Sequence, residues 1–164
     1  MGLVFSPRNI ILSPEAISNK ILLKAYYGYQ DLHQAWSNLK PIQMGKDLLA
    51  DPQLFQNPLN KIGEPSTVLL KKAALEQLGG FDSAFKQLLD LDLWLRMMSR
   101  YKIGFVNQKL SSFRLHPDQQ TLKNAESGYS DLRNFYQKLY THPDYSFLSD
   151  DLKNLVGRVY KGYL

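Results

Sequence analysis

Leu89-Asp90-Leu91-Asp92-Leu93-Trp94-Leu95-Arg96 is an apolar segment that contains two aspartates, and it follows the segment Gly79-Gly80-Phe81-Asp82. Its apolar residues predict a buried helix that starts at Asp90 or Leu91 and ends near Tyr101. The two glycines predict the end of an earlier helix at residues 71–78, with one glycine in the left-handed conformation. An acidic group is therefore expected at the start of a very apolar helix, directly after a glycine-rich turn.

Asp90 has two interpretations from the residues alone. A helix N-terminus favours an ionised carboxylate through its macrodipole and its unpaired N–H groups, so Asp90 could simply cap the helix. A carboxylate that is partly desolvated and faces a cleft could instead take a proton from a hydroxyl as a general base. Both interpretations stay open at this point.

The neighbours of Asp90 have mainly structural interpretations. Asp92 and Arg96 stand four residues apart with the acid first, which is the favourable order for an ion pair within a helix. Trp94 and Phe81 are expected in the core. Asp90-Leu91-Asp92 is not taken as a metal-binding Asp-x-Asp motif, because it opens a helix and does not follow a strand.

Arg114 and His116 form a second group. Residues two apart in an extended strand point to the same side, so the guanidinium and the imidazole should project together just before Pro117-Asp118. Arginine can bind a diphosphate oxygen, and histidine can bind a divalent metal. The alternative is an ordinary surface strand end.

The rest of the chain reads as alternating strands and helices. Short apolar runs predict strands at residues 2–5, 67–70, 103–106 and 110–115, the last two on either side of Asn107-Gln108. Helices are expected from Ser13-Pro14-Glu15 onward, at residues 31–39, and after Ser149. Residues 41–60 are expected to form a long loop. One buried helical face is predicted in the last third, from residues that recur at three- and four-residue steps: Leu122, Ala125, Tyr129, Leu132, Tyr136 and Leu139.

Composition limits the kinds of site that the chain can hold. Hydrophobic residues make up 44% of the 164 residues, enough for the packed core of one domain, so wholesale disorder is not expected. There is no cysteine, which excludes disulfides and thiolate metal sites, and a metal site would have to use Asp, Glu and three histidines, of which His33 and His142 are assigned no role. The net charge of +5 fits anionic partners or a mildly basic surface. Nucleic acid is not expected, because the basic residues are scattered.

The order of the segments resembles the C-terminal half of a family 2 glycosyltransferase. The resemblance rests on Gly63-Glu64-Pro65-Ser66-Thr67-Val68-Leu69, on Leu78-Gly79-Gly80-Phe81-Asp82, on the segment from Asp90 to Arg96, and on Phe113-Arg114-Leu115-His116-Pro117. Gly2-Leu3-Val4-Phe5-Ser6 also resembles the mid-domain strand of the family. The resemblance spans about residues 1–121 and is tightest over 60–121, while residues 122–164 resemble only its variable helical tail.

The resemblance implies a partial GT-A fold, an α/β fold with a mixed sheet flanked by helices and a C-terminal helical extension at residues 122–164. It implies transfer of a sugar, with inversion, from a nucleotide-diphosphate sugar to a glycan or lipid-linked acceptor. In such enzymes the aspartate that matches Asp90 deprotonates the acceptor hydroxyl. Arg114 and His116 match an Arg-x-His near the diphosphate and the metal, so the resemblance makes His116 a metal ligand and implies a divalent cation, manganese or magnesium, in the complete enzyme.

The resemblance also assigns an acceptor side, and the chain departs from the family pattern in two places. Ser66, Asp82, Asp92 and Trp94 match segments that shape the acceptor side. Leu89 stands where the family usually has glutamate, which removes any acceptor contact from that side chain. The strands and the Asp-x-Asp that bind the nucleotide in the family have no counterpart here.

We therefore expect an acceptor-side part of a glycosyltransferase, inactive alone, which requires a separate donor-half chain or self-association. The alternative is a non-catalytic module that uses the same scaffold to bind a partner. No apolar run approaches the roughly 20 residues of a membrane-spanning helix. The expected location is the cytoplasm, with peripheral membrane contact through the C-terminal helix as an alternative.

Overall fold

The structure is a computed structural model, and it describes residues 1–163. Within these residues, six strands and seven α-helices follow one another along the chain. The strands are β1 (Leu3–Phe5), β2 (Arg8–Leu12), β3 (Ile42–Met44), β4 (Val68–Leu70), β5 (Lys102–Phe105) and β6 (Ser111–Leu115). The helices are α1 (Lys20–Gly28), α2 (Gly45–Leu49), α3 (Lys72–Gln77), α4 (Leu89–Arg100), α5 (Gln120–Lys123), α6 (Gly128–Thr141) and α7 (Asp150–Lys161).

Four of the strands form a mixed sheet in the order β3-β5-β1-β4. β1 runs parallel to β5 and antiparallel to β4, and β3 is antiparallel to β5. Leu3 and Phe5 face the core, while Val4 between them points to the opposite face, as the alternation of a strand requires. The prediction of an α/β structure with a mixed sheet flanked by helices is confirmed.

β2 and β6 form a separate, parallel two-stranded sheet. Sequence analysis predicted strands on both sides of Asn107-Gln108, and both exist, but they belong to different sheets. β2 was not predicted, because Pro7 and the short Ile10-Ile11-Leu12 run gave no clear alternation. Ser6 and Pro7 carry the chain from one sheet to the other.

The expected loop at residues 41–60 is wrong in its first part, which contains β3 and α2. α2 packs directly on α4, and a Cβ added at Gly45 would lie 2.2 Å from the carbonyl oxygen of Met98. Glycine is the residue that permits this approach, and burial of Leu48 and Leu49 stabilises it. The helix expected at residues 31–39 is only a 3-10 turn at Leu32–Ala35.

Two predictions about helix ends are confirmed. Gly79 and Gly80, after α3, both have φ of +75°. The side chain of Ser149 accepts the N–H of Leu152 at the start of α7. The helix after Ser13-Pro14 starts as a 3-10 turn, and the α1 helix itself is capped by Asn19.

The predicted single face of the last third is wrong in its first half. A 3-10 turn at Ala125–Ser127 separates α5 from α6, and Tyr129 is 61% exposed. From Tyr136 onward the prediction holds, with Phe135 also buried. The extension at residues 122–164 shares the main core, because Phe135 and Leu139 pack in the same cluster as Trp94.

The apolar residues form two clusters. The main one surrounds α4, and the second is built from Ala16, Leu22 and Leu115 beneath the two-stranded sheet. Phe81 was expected in the core, but it is 38% exposed and meets only the edge of the Trp94 ring. Within residues 1–163 no helix is both long and apolar enough to span a bilayer.

Candidate functional site

A cleft of about 340 Å³ lies where the two apolar clusters meet. This volume is within the usual range for small-molecule sites, which are common where separately packed units join. Ile10, Phe113 and Leu115 contribute the wall from the two-stranded sheet, and Leu59 and Leu88 contribute the opposite wall. Its polar side chains are Arg8, Tyr29, Asn57, Asn60, Glu64 and Thr121.

Asp90 is held immediately behind this wall. It is the second residue of α4, whose N-cap is Leu88, so the interpretation of Asp90 as the N-cap is wrong. Its Oδ1 accepts the N–H of Leu91 at 2.7 Å, and its Oδ2 accepts the Asn60 amide at 3.1 Å. Because Asn60 lines the cleft, this hydrogen bond links Asp90 to the cleft, although Asp90 itself is not part of the lining.

Burial raises the pKa of Asp90 to about 6 from its ordinary value of 3.8. The N–H of Leu91 opposes this shift, and the negative charge of Glu64 adds to it. The carboxyl group is therefore largely ionised at neutral pH and is a stronger base than an ordinary aspartate. A pKa near the working pH is what a general base requires.

The turn that carries Asn60 is fastened to α4. Asn60 Oδ1 accepts the N–H groups of Ile62 and Gly63, at 3.2 and 2.9 Å. Gly63 has φ of +113°, a conformation that favours glycine, and its carbonyl accepts Trp94 Nε1 at 3.1 Å. The resemblance segment that starts at Gly63 thus sets the position of Asn60 against Asp90.

Glu64, the next residue, is partly buried and forms an ion pair with the buried Arg8. Arg8 Nη2 donates to Glu64 Oε1 at 3.0 Å, and Nε lies 2.8 Å from Oε2. Arg8 Nη1 donates to the carbonyl of Tyr29 at 2.9 Å. The pair joins β2 to the turn across the floor of the cleft. Sequence analysis assigned no role to either residue; the only signal was an arginine placed directly after Ser6-Pro7.

Lys61 is a second feature that the sequence did not indicate. It is 1% exposed, and its Nζ donates to the carbonyls of Leu54, Gln56 and Pro58 at 3.2, 2.6 and 2.7 Å. Burial lowers the pKa of Lys61 to about 8. The ammonium group closes residues 54–60 into the compact turn that forms one wall of the cleft.

Asp92 lies at the centre of a buried polar network. It is 0% exposed and accepts Arg96 Nε at 2.8 Å, Lys138 Nζ at 2.7 Å and the hydroxyl of Tyr145. The predicted pair with Arg96 is confirmed. Trp94 is also fully buried. Because both side chains are buried, neither Asp92 nor Trp94 can contact an acceptor directly in this structure. An effect of either residue on acceptor binding would have to act through other residues.

Asp82 and Ser66 border cavities other than the cleft. Asp82 binds Lys138 at 2.7 Å and lines a shallow cavity of about 320 Å³ with Arg96 and His142. Ser66 is exposed beside a groove of about 290 Å³ at the carboxyl ends of β1 and β5. Such an edge of parallel strands is a frequent ligand site in open sheets. Of the four residues assigned to the acceptor side, Asp82 and Asp92 therefore meet at Lys138, whereas Ser66 lies apart from them.

Arg114 and His116 lie away from the cleft. Phe113 and Leu115 face the cleft, so alternation places Arg114 on the other side of β6, where it is exposed. Arg114 and His116 are both close enough to Glu15 to help lower its pKa, after the stronger effect of the Glu15 and Ser13 hydrogen bonds. Among the residues that the structure describes, no three His, Asp or Glu side chains are grouped to hold a metal ion.

Comparison with known proteins finds a relative in Mycobacterium tuberculosis. The chain is 32% identical over 111 residues to an uncharacterized protein of Mycobacterium tuberculosis (strain CDC 1551 / Oshkosh), and the match covers 68% of the chain. It covers 32% of the relative, so the chain spans about a third of the length of the curated protein that it matches. No protein-family model and no solved structure matches the chain.

Proposed function

We propose that this chain is the acceptor-side part of an inverting glycosyltransferase with a GT-A fold, in which Asp90 is the general base. The observation that carries the proposal is the position of Asp90, partly buried at the start of α4 beside a cleft, with its pKa raised to about 6. This is the residue to which the resemblance assigns the same role.

The reaction requires a group that accepts the proton and a path by which the acceptor hydroxyl reaches that group. The acceptor O–H bond breaks, and its proton goes to Asp90. The acceptor oxygen forms a bond to the anomeric carbon, and the bond from that carbon to the diphosphate breaks, so the diphosphate leaves with the electron pair. Asn60 orients the carboxylate by donating to Oδ2, which leaves Oδ1 shared with the N–H of Leu91.

Donor binding in this proposal rests on the resemblance. Arg114 and His116 remain proposed contacts of the diphosphate, and His116 of a manganese or magnesium ion. The described residues do not by themselves complete a metal site, so no step is derived through a metal. The donor-binding half is proposed to come from further polypeptide.

The test is a transfer assay with matched carboxylate variants. Purified chain is incubated with nucleotide-diphosphate sugars and hydroxyl acceptors, with and without manganese and a donor-side polypeptide, and release of nucleotide diphosphate is measured. Asp90→Asn should lower the rate by at least about a hundredfold. Asp47→Asn, which changes an exposed carboxylate on α2, is the control. Equal rates for the two variants would remove Asp90 from the mechanism.

A second candidate function is a non-catalytic binding module, and the outer face of the four-stranded sheet favours it. On that face Val4 lies opposite Leu69 and Gly104, and Gly104 lies opposite Ile42. Leu69 is 75% exposed and Ile42 is 61% exposed. Parallel strand pairs are normally covered on both faces. A donor-side polypeptide is the proposed cover, and a chain that binds it but gives no transfer with it would be such a module.

A further inference from the structure

The cleft beside Asp90 combines apolar walls with a few polar side chains. Ile10 and Phe113 are paired across β2 and β6 and line one wall, and leucines line the other. Asn60 and Glu64 add hydrogen-bonding groups to the lining, and Asn60 also donates to Asp90, which lies outside the lining. A ligand that fills the cleft therefore meets hydrocarbon on both walls and hydrogen-bonding groups at Asn60 and Glu64.

The charges of the cleft exclude an anionic occupant. Arg8 is the only cation that lines the cleft among the described residues, and Glu64 and the Tyr29 carbonyl already occupy its guanidinium. Glu64 and Asp90 are the nearest acids. A phosphate or carboxylate that entered the cleft would lose the hydration of its charge and would find no unpaired cation in return. An uncharged hydroxyl compound has no charge to desolvate.

We propose that this cleft binds an uncharged glycoside that carries an apolar group, with its sugar hydroxyls toward Asn60 and Glu64 and its apolar group against Ile10 and Phe113. This names the acceptor class for the proposed function and rests on it. The apolar group can come from a lipid chain or from an aromatic ring, since both offer the same hydrocarbon surface to the cleft.

The experiment compares three glucosides that differ only in the aglycone. Methyl, n-hexyl and phenyl β-D-glucoside are titrated into the isotopically labelled 164-residue chain, and amide chemical shifts are followed by NMR. The hexyl or the phenyl compound should bind at least about tenfold more tightly than the methyl compound, because burial of the extra hydrocarbon adds to its affinity. Preference for the hexyl compound indicates a lipid-linked acceptor, and preference for the phenyl compound an aromatic one.

Two neighbouring isoleucines give a matched pair of variants. Ile10 lines the cleft, whereas Ile11 is the next residue of β2, points to the other face and is 49% exposed. Ile10→Ala and Phe113→Ala should weaken binding about five- to tenfold, and Ile11→Ala should leave it unchanged. If a cleft variant does not fold, the wild-type shifts still decide: they should fall on residues 57–60, Ile10 and Phe113.

Several results would overturn the inference: equal affinity for all three glucosides, no binding of any, shifts outside the cleft, or tighter binding of phenyl phosphate than of phenyl glucoside. Asp90→Asn separates this inference from the proposed function, since it should retain phenyl glucoside binding within about threefold. If binding is selective but Asp90→Asn leaves transfer unchanged, the proposed mechanism is wrong and the proposed ligand class is retained. If transfer depends on Asp90 but affinity does not depend on the aglycone, the mechanism is retained and the ligand class is wrong.

Discussion

Asp90 should make the protein less stable as the pH rises through the range in which it titrates. Its pKa is about 6 in the folded chain against 3.8 for an ordinary aspartate, so the folded state binds the proton more tightly. Its contribution to stability is fully present below pH ~4 and is lost as the pH rises to about 6. At pH 7.5 the ionised group costs about 2 to 3 kcal/mol at most, from 1.36 kcal/mol per pKa unit.

Asp90→Asn should therefore be more stable than the wild type at pH 7.5, and this advantage should disappear at pH 4. Urea denaturation of both proteins at the two pH values measures the difference, and the subtraction removes the titration of other acids such as Asp82, whose pKa is lowered. An advantage that is the same at both pH values would show that Asp90 does not have a raised pKa. The raised pKa lowers the stability of the protein at neutral pH, but it makes Asp90 the stronger base that the proposed reaction needs.

Two glycines test space against backbone conformation. Gly79 has φ of +75° and open space around its missing side chain, so Gly79→Ala should cost about 1 to 2 kcal/mol through strain alone. At Gly45 the problem would be space, because an added Cβ would overlap with the backbone of Met98. Gly45→Ala should separate α2 from α4 and give the larger loss of thermal stability. Differential scanning calorimetry of both variants checks the order, which the reverse ranking would contradict.

The network around Asp92 joins α4 to α6 and to the turn that contains Tyr145. Asp92→Asn would leave Arg96 and Lys138 without their buried carboxylate, and removal of one partner of a buried pair typically costs about 3 to 5 kcal/mol. Asp82→Asn is the matched control, because Asp82 shares Lys138 but is partly exposed, and its loss should cost less than about 1 kcal/mol. Chemical denaturation measures both, and similar losses would show that burial of Asp92 carries no special weight.

This network also shows how far prediction from the sequence can reach. Asp92 and Arg96 are four residues apart, so a local pattern predicted their ion pair. Local patterns also predicted α4, the glycine turn and β1. Lys138 and Tyr145 come from 46 and 53 residues away, and no local pattern indicates them. The same applies to β2, whose partner β6 lies about a hundred residues further along the chain, and to the Arg8–Glu64 pair.

The candidate site divides in the same way. Asp90 was singled out because helix position and charge are local properties, while its raised pKa depends first on burial and then on the charge of Glu64, both of which are set by tertiary contacts. Lys61 could not be found, since nothing in a single sequence distinguishes a buried lysine that binds carbonyls from an exposed one. Arg114 and His116 were predicted as a pair, and the structure places both near Glu15.

In the molecule as a whole, one face of the four-stranded sheet is apolar and is not covered by the helices of residues 1–163. The faces of the four-stranded sheet differ: Leu3, Phe5 and Ile103 are buried under α4, while Ile42 and Leu69 on the other face are exposed. Without its proposed donor-side cover, the chain should self-associate through this face at high concentration. The double variant Ile42→Lys, Leu69→Lys should reduce that association without a loss of thermal stability, since neither side chain is packed.

Sedimentation velocity over a hundredfold range of concentration measures the association. The control is Ile17→Lys with Ile21→Lys, which adds the same two charges at residues that are 61% and 67% exposed near α1. If charge alone disperses the chains, the control should act as strongly as the sheet variant, and the face has no special part. If the wild type stays monomeric throughout, an exposed Ile42 and Leu69 are simply solvated, and the binding-module candidate loses its support. Association that only the sheet variant removes would identify this face as the surface through which the chains associate.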